Sequence, residues 1–211
     1  MLFSARCLFL LLLSVLPLIG RAGELTLAAP DEIVDLLEPY LPDQAGEAQL
    51  QKLSREILST EGYFSPQVEF SASDGELRLK IDPGPRTKIS KVNVTVDGKI
   101  DPKIRDEMIA GWTLPVGQPF RQEDWSNAKT HLLSQLLAND YAAARLLESE
   151  AEIDAPGAGA GLTAHYDSGP RYRFGELRIE GLQRYPPELI QRYNRVISPG
   201  DPYRENKLNV L

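Results

Sequence analysis

The sequence predicts an α+β fold made of tandem β-α-α-β-β modules, each a three-stranded sheet covered by two helices. Three observations carry this prediction. The chain repeats itself at an offset of 85 residues; each copy places two helical stripes before a pair of alternating strands; and the same Asp-x-Gly-Pro-Arg turn recurs where one copy passes into the next.

The repeat aligns without gaps. Leu77 to Arg86 (LRLKIDPGPR) matches Leu162 to Arg171 (LTAHYDSGPR), and an alternating strand follows each: Ile89, Val92, Val94 and Val96 in one copy, Phe174, Leu177 and Ile179 in the other, reaching Gly98 and Gly181. A second echo pairs Val116 to Arg121 (VGQPFR) with Pro199 to Arg204 (PGDPYR), and a third pairs Glu61-Gly62-Tyr63 with Asn139-Asp140-Tyr141. Three copies of one unit account for all of them, with boundaries at 23–83, 84–168 and 169–211.

The middle copy is the clearest. Lys88 to Val96 alternates with the period of a half-buried strand. Asp101-Pro102 supplies an N-cap and a first-turn proline for a helix carrying Ile104, Met108 and Ile109 up to Gly111. Arg121 to Asn139 reads as a longer helix. Glu123 and Asp124 lie in its first turn, where the helix dipole favours acids, and Trp125, Ala128, Leu132, Leu133, Leu136 and Leu137 share one face. Strands at Ala144 to Ile153 and Leu162 to Tyr166 close the copy around a glycine-rich turn, Pro156 to Gly161.

The first copy is a shorter version. A strand at Leu25 to Ala28 precedes a helix opened by Pro30-Asp31-Glu32 and stopped before Pro39. A second helix carries Leu50, Leu53, Ile57 and Leu58 and ends at Gly62. The strands Gln67 to Ser71 and Glu76 to Ile81 flank the turn Asp74-Gly75. Units of about 60 to 85 residues are near the lower size at which one core suffices. The third copy is expected to begin with a strand at Phe174 to Ile179 and a helix from Pro186-Pro187 to Val196. It stops inside its second helix at Leu211, so the chain is expected to be a fragment of a longer protein.

Ahead of the modules, Arg6, the apolar run Leu8 to Ile19 and Gly20-Arg21-Ala22 have the form of a cleavable export leader over residues 1–22. The run is shorter than the roughly 20 apolar residues of a membrane span and is broken by Pro17. Loss of Arg6 and Arg21 with the leader takes the basic count from 23 to 21 against 30 acidic side chains, and the charge from −7 to −9. That balance argues against nucleic acid and against docking on anionic lipid. Cys7, the single cysteine, lies within the leader, so disulfides and thiolate metal sites are not expected and core packing must hold the modules together.

Helices ending in Gly62-Tyr63-Phe64, the β-α-α-β-β repeat and Asp-x-Gly-Pro-Arg at each handover resemble polypeptide-transport-associated (POTRA) domains. The run Gly169-Pro170-Arg171-Tyr172-Arg173-Phe174-Gly175 followed by Ile179-x-Gly181 is similar to the second-to-third POTRA junction of the TamA family, the outer-membrane subunits of the translocation and assembly module, within the BamA/TamA superfamily. The resemblance covers essentially all the chain past the leader. It implies a periplasmic arm in front of a sixteen-stranded outer-membrane barrel in a Gram-negative envelope. It also implies a TamB-like inner-membrane-anchored partner and, as clients, unfolded outer-membrane proteins or autotransporters whose insertion is aided. The barrel is not within these 211 residues, so the chain alone is expected to bind partners without inserting them. A POTRA-containing scaffold, a fragment of a two-partner secretion transporter and an accessory domain of an enzyme are the alternatives.

The strand order usual in that family makes the Gln67 strand and its equivalent near Ala144 to Glu150 sheet edges, which can take up an extended polypeptide by strand addition. Gln67, Val68, Glu69 and Phe70 are the candidate partner-binding residues, although Val68 and Phe70 also read as core residues. Asp82, Gly84, Pro85 and Arg86, with Asp167, Gly169, Pro170 and Arg171, are candidate hinges, the arginine hydrogen-bonding back to the preceding module. No catalytic or cofactor site is expected. Gly157 to Gly161 lies between strands instead of opening a helix, so it is not a phosphate loop; Ser168 and Ser198 lack a nucleophile setting; and His131 and His165 have no second ligand nearby. Trp125 reads as core, and Trp112 as an interface anchor if exposed.

Overall fold

In a computed structural model the chain is described over residues 25–42, 45–73, 76–178, 180–181, 186 and 197–208. The expected leader, the turn at Asp74-Gly75, Ile179 and the expected helix beyond Pro186 lie outside these residues.

The first module comprises β1 (Leu25–Ala28), α1 (Asp31–Leu37, followed by one 3₁₀ turn at Glu38–Tyr40), α2 (Glu47–Thr60), β2 (Gln67–Ser73) and β3 (Glu76–Asp82). The second comprises β4 (Lys88–Asp97), α3 (Pro102–Ala110), α4 (Gln122–Ala138), β5 (Arg145–Asp154) and β6 (Gly159–Asp167). Each sheet has three strands, in the orders β1-β3-β2 and β4-β6-β5. The last strand of each module is therefore central. It pairs in parallel with the first strand (Leu25 opposite Leu77, Lys88 opposite Gly159) and antiparallel with the middle one (Val68 opposite Ile81, Ala151 opposite Leu162). The parallel pairing needs a long crossover, which the two helices supply.

One face of each sheet carries the core. In the first module Ile33, Leu37, Leu50 and Leu58 from the helices close over Val68, Leu79 and Ile81. In the second, Trp125, Ala128, Leu132 and Leu136 from α4 close over Ile89, Val96, Ala160, Leu162, Ala164 and Tyr166. The predicted stripe of α4 thus divides, with Leu133 and Leu137 on its half-buried flank. The side chain of Asp101 caps α3 by accepting from the N–H of Lys103 at 2.9 Å.

Three expectations are corrected. The glycine-rich turn is shorter than Pro156 to Gly161: residues 155–158 form it, with Ala158 at φ 48°, and Gly159-Ala160-Gly161 already belong to β6. Ala160 is wholly buried under the helices, and Gly159 and Gly161 keep the opposite face low, so the small residues serve the strand's packing and not a loop's freedom. The strand expected from Phe174 is not formed over 174–178; only an isolated bridge joins Arg173 to Pro202. In both completed modules that first strand is held by the last strand, and no such neighbour faces it among the described residues. Trp112 is not a free anchor: it is half-buried, its indole N–H donates to the carbonyl of Leu114 at 2.9 Å, and its ring meets Trp125 edge-on at 6.0 Å. A short helix, α5 (Glu205–Leu208), ends the described chain.

Leu132, 1% exposed in the middle of α4, fills the second core. Leu132→Ala is expected to cost about 2–5 kcal/mol, read as a lowered urea midpoint for the second module. The Tyr166 phenol, hydrogen-bonded to the Lys129 carbonyl at 3.1 Å, is pushed up to about 12 by burial. A phenol whose pKa is raised by folding favours the folded state below its ordinary value of 10.0. Stability is accordingly expected to fall between about pH 10 and 12, with phenolate absorbance appearing together with unfolding.

Candidate functional site: open edges and inter-module clamps

Two kinds of feature stand out, the outer strands and the junctions. Strands β2 and β5 each form one edge of a sheet, and β1 and β4 form the other edges. On β2, Val68 points into the core and is buried, Phe70 is half-buried on the same side, and Gln67 and Glu69 are exposed on the opposite face. Glu69 accepts from Lys80 Nζ across the sheet at 3.1 Å. The side chains of Val68 and Phe70 are thus occupied with packing, and the backbone rim of β2 remains as its contact-forming part.

The junctions are built from the repeated residues. At the first, the Asp82 carboxylate accepts from the N–H of Gly84 at 3.0 Å, fixing a turn in which Gly84 adopts φ 68°, and exposed Pro85 leads on to Arg86. Arg86 reaches back to the end of α2: its Nε donates to the Glu61 carbonyl at 3.0 Å, its Nη2 to the Glu61 carboxylate at 3.3 Å, and its guanidinium lies 5.5 Å from the centre of the Tyr63 ring. Arg121, at the start of α4, grips the same carboxylate through Nε at 2.8 Å and Nη2 at 3.0 Å. These bonds to Glu61 are the main cause of the raised pKa of Arg121.

Backbone contacts reinforce the clamp. The N–H of Thr87 donates to the Gly62 carbonyl at 2.9 Å, and that of Phe120 to the Thr87 carbonyl at 2.8 Å. Gly62 has φ 92°, and a Cβ there would overlap the carbonyl oxygen of Phe120, so only glycine admits this approach. The Phe64 and Phe120 rings pack at 5.6 Å across the same seam.

The second junction copies the first. Asp167 accepts from the N–H of Gly169 (φ 62°) at 2.9 Å, and this bond, with Arg145 adding to it, holds the Asp167 carboxyl below its ordinary range. Pro170 is exposed, and Arg171 donates through Nε and Nη2 to the Asp140 carboxylate, which raises the pKa of Arg171. The N–H of Tyr172 donates to the Asp140 carbonyl at 2.7 Å and that of Tyr203 to the Tyr172 carbonyl at 3.0 Å, while Arg204 Nη1 donates to Asn139 Oδ1 at 2.7 Å. Each bond has its counterpart at Thr87, Phe120 and Arg121. One difference matters: Glu61 serves two arginines, whereas at the second junction the acid sits one position later and an amide takes the second arginine. Asp140 Oδ1 is buried and has no hydrogen-bond partner among the described residues.

The candidate hinge residues of both copies therefore lie at the junctions, together with partners that the sequence alone leaves unassigned: Glu61, Asn139, Asp140, Arg121 and Arg204. The signal lies in the two shorter echoes, one of which pairs Glu61 with Asn139 and the other Arg121 with Arg204; nothing in the sequence joins the first echo to the second. Of the histidines, His131 is exposed on α4, and His165 meets Asp97 at 2.8 Å. Among the described residues no three His, Cys, Asp or Glu side chains gather in a metal-binding group, and no helix is long and apolar enough to cross a membrane.

Glu61→Gln, which keeps the volume but removes the charge shared by both arginines, is expected to weaken the first junction by about 1–3 kcal/mol. Spin labels at Lys52 and Lys103 then give a broadened inter-module distance distribution, whereas Glu69→Gln leaves it unchanged.

No family model matches the chain. Among solved structures it is similar to the POTRA3–5 segment of BamA from Haemophilus influenzae, with a TM-score of 0.49 and 15% identity over 90% of this chain and 82% of that one. It is also similar to POTRA1–3 of the periplasmic domain of Omp85 from Anabaena (TM-score 0.45, 14% identity, 89% and 80% covered). A third is the N-terminal domain of Omp85 from Thermosynechococcus elongatus (TM-score 0.43, 13% identity, 89% and 81% covered). The likeness is one of fold.

Proposed function

We propose that this chain is a non-enzymatic, periplasm-facing arm of POTRA-like modules that binds extended polypeptides during outer-membrane protein assembly. The observation that carries this reading is the pair of sheets whose outer strands β2 and β5 are paired on one side only among the described residues, held in tandem by a duplicated arginine clamp. An edge strand offers unsatisfied N–H and C=O groups to any segment that can extend beside it, and main-chain pairing tolerates many side chains. Such tolerance suits a factor that meets many unfolded barrel precursors.

The finer assignment is to a TamA-type assembly factor. It is supported by the run Gly169 to Gly175 at the second junction, which here forms the Arg171–Asp140 clamp. On that assignment the clients are autotransporters and other outer-membrane barrels, the partner is a TamB-like protein anchored in the inner membrane, and the outer membrane is reached through a barrel beyond this arm.

The test is photo-crosslinking of the whole chain to an unfolded barrel precursor, with the crosslinker at Gln67 or Glu69 on β2 or at Glu148 on β5. Crosslinks from either edge that disappear when the precursor has folded support the reading. Crosslinking no stronger than from an exposed helical site such as Lys103 removes it.

A further inference from the structure

The edges formed by β2 and β5 are chemically unlike, and the difference specifies a partner. Strand β5 is ten residues long, against seven for β2. On its open face Glu148, Glu150 and Glu152 stand at successive outward positions, opposite His165, Thr163 and Gly161 of β6. None of the three carboxylates has an ion-pair partner among the described residues, and His165 is already engaged by Asp97 at 2.8 Å. On β2 the single open-face carboxylate, Glu69, is neutralised by Lys80.

The helix-facing side of β5 is mostly apolar, with Ser149 set between Leu146 and Ala151. Leu146, Ala151 and Ile153 face the helices, and a groove of about 280 Å³ between α4 and β5 is lined by Ser126, Lys129, Thr130, Leu133 and Leu146. The register slips between Leu146 and Glu148, so Leu147 is the extra residue of a bulge, with its side chain 48% exposed on the rim. Lys129 is turned away from the acidic row, with Nζ 4.7 Å from the centre of the Trp125 ring and 3.4 Å from Ser149 Oγ.

A strand added to β5 presents alternate side chains to the two faces. Those on the open face come to lie beside the glutamates, where opposite charges attract and like charges repel across strands. Those on the other face meet Leu133, Leu146 and Leu147. The geometry points to β5 of the second module as a docking strand for an extended segment that alternates Lys or Arg with mid-sized apolar residues. This inference rests on the edge-binding reading above and narrows it to one edge and one class of segment.

The test uses the whole chain and four labelled peptides: Lys-Val-Lys-Val-Lys-Val-Lys, its Glu and Thr counterparts, and a Lys peptide with a central proline that cannot extend along the edge. Anisotropy gives the affinities, and amide hydrogen exchange locates the contact. The Lys peptide is expected to bind about tenfold tighter than the Thr peptide, a preference within the reach of three favourable cross-strand pairs, and to protect amides within 146–152. The preference is expected to vanish in Glu148→Gln/Glu150→Gln/Glu152→Gln, whose exposed substitutions leave the circular dichroism of the fold unchanged. Equal binding of the proline-interrupted peptide, or protection away from β5, reduces the effect to bulk attraction by an acidic chain and overturns the inference. Equal binding of Lys and Thr peptides along an edge overturns the charge preference while leaving edge binding intact. Exclusion of every peptide from every edge brings down the edge-binding reading and this inference together, and marks the glutamates as a guard against strand addition.

Discussion

In each module the last strand of the sequence lies in the middle of the sheet, and the rest of the architecture depends on that placement. A central β3 or β6 needs a parallel neighbour on one side and an antiparallel one on the other. The parallel neighbour forces a crossover long enough for two helices, and those helices cover one face. The strands added first and second are left as edges. The chain then leaves the sheet from its centre, where Asp82 or Asp167 turns it toward the C-terminal end of the preceding helix.

That exit point decides where the modules touch. The arginine four residues after the turn aspartate reaches the end of α2 or α4 of the module just completed, and the residue after it bonds to the backbone there. At the first junction one carboxylate, 20% exposed, holds two guanidiniums from separate parts of the next module. Charge-assisted bonds of this kind are strong and directional, and a partner left alone in such a site is costly. The second junction divides the task between Asp140 and Asn139 and leaves one buried carboxylate oxygen with no partner among the described residues. The two seams share a plan and differ in how fully their charges are satisfied.

Much of this was legible in the sequence. The strand and helix order, the stripes of α2 and α4, the cap at Asp101 and the turn at each Asp-x-Gly-Pro-Arg all follow from local periodicity and turn chemistry. What sequence reading missed depends on contacts over long separations. Glu61 meets Arg86 across 25 positions and Arg121 across 60, and no local pattern marks an acid at the end of a helix as the ligand of arginines in another module. Gly159 to Gly161 has the composition of a loop, because glycine is poor in strands, yet a central strand packed against α4 on one side and left low on the other tolerates Gly-Ala-Gly. The segment from Phe174 alternates like a strand, but alternation makes a strand only where another backbone stands beside it. On the edges, the pattern of β5 is readable as a strand, whereas the lack of a cation beside its glutamates among the described residues shows only with the neighbouring strand in place.

The central position of the last strand also bears on the order in which the fold can be assembled. Leu25 waits for Leu77, 52 positions later, and Lys88 for Gly159, 71 positions later, before either parallel ladder can form. A chain delivered N-terminus first by the ribosome must hold two helices and an unpaired strand until the closing strand arrives. Bringing such distant segments together is entropically expensive and slow. Each module therefore passes through a period as an incomplete sheet with its middle vacant, and for as long as the closing strand is unmade the exposed backbone of the first strand is open to mispairing.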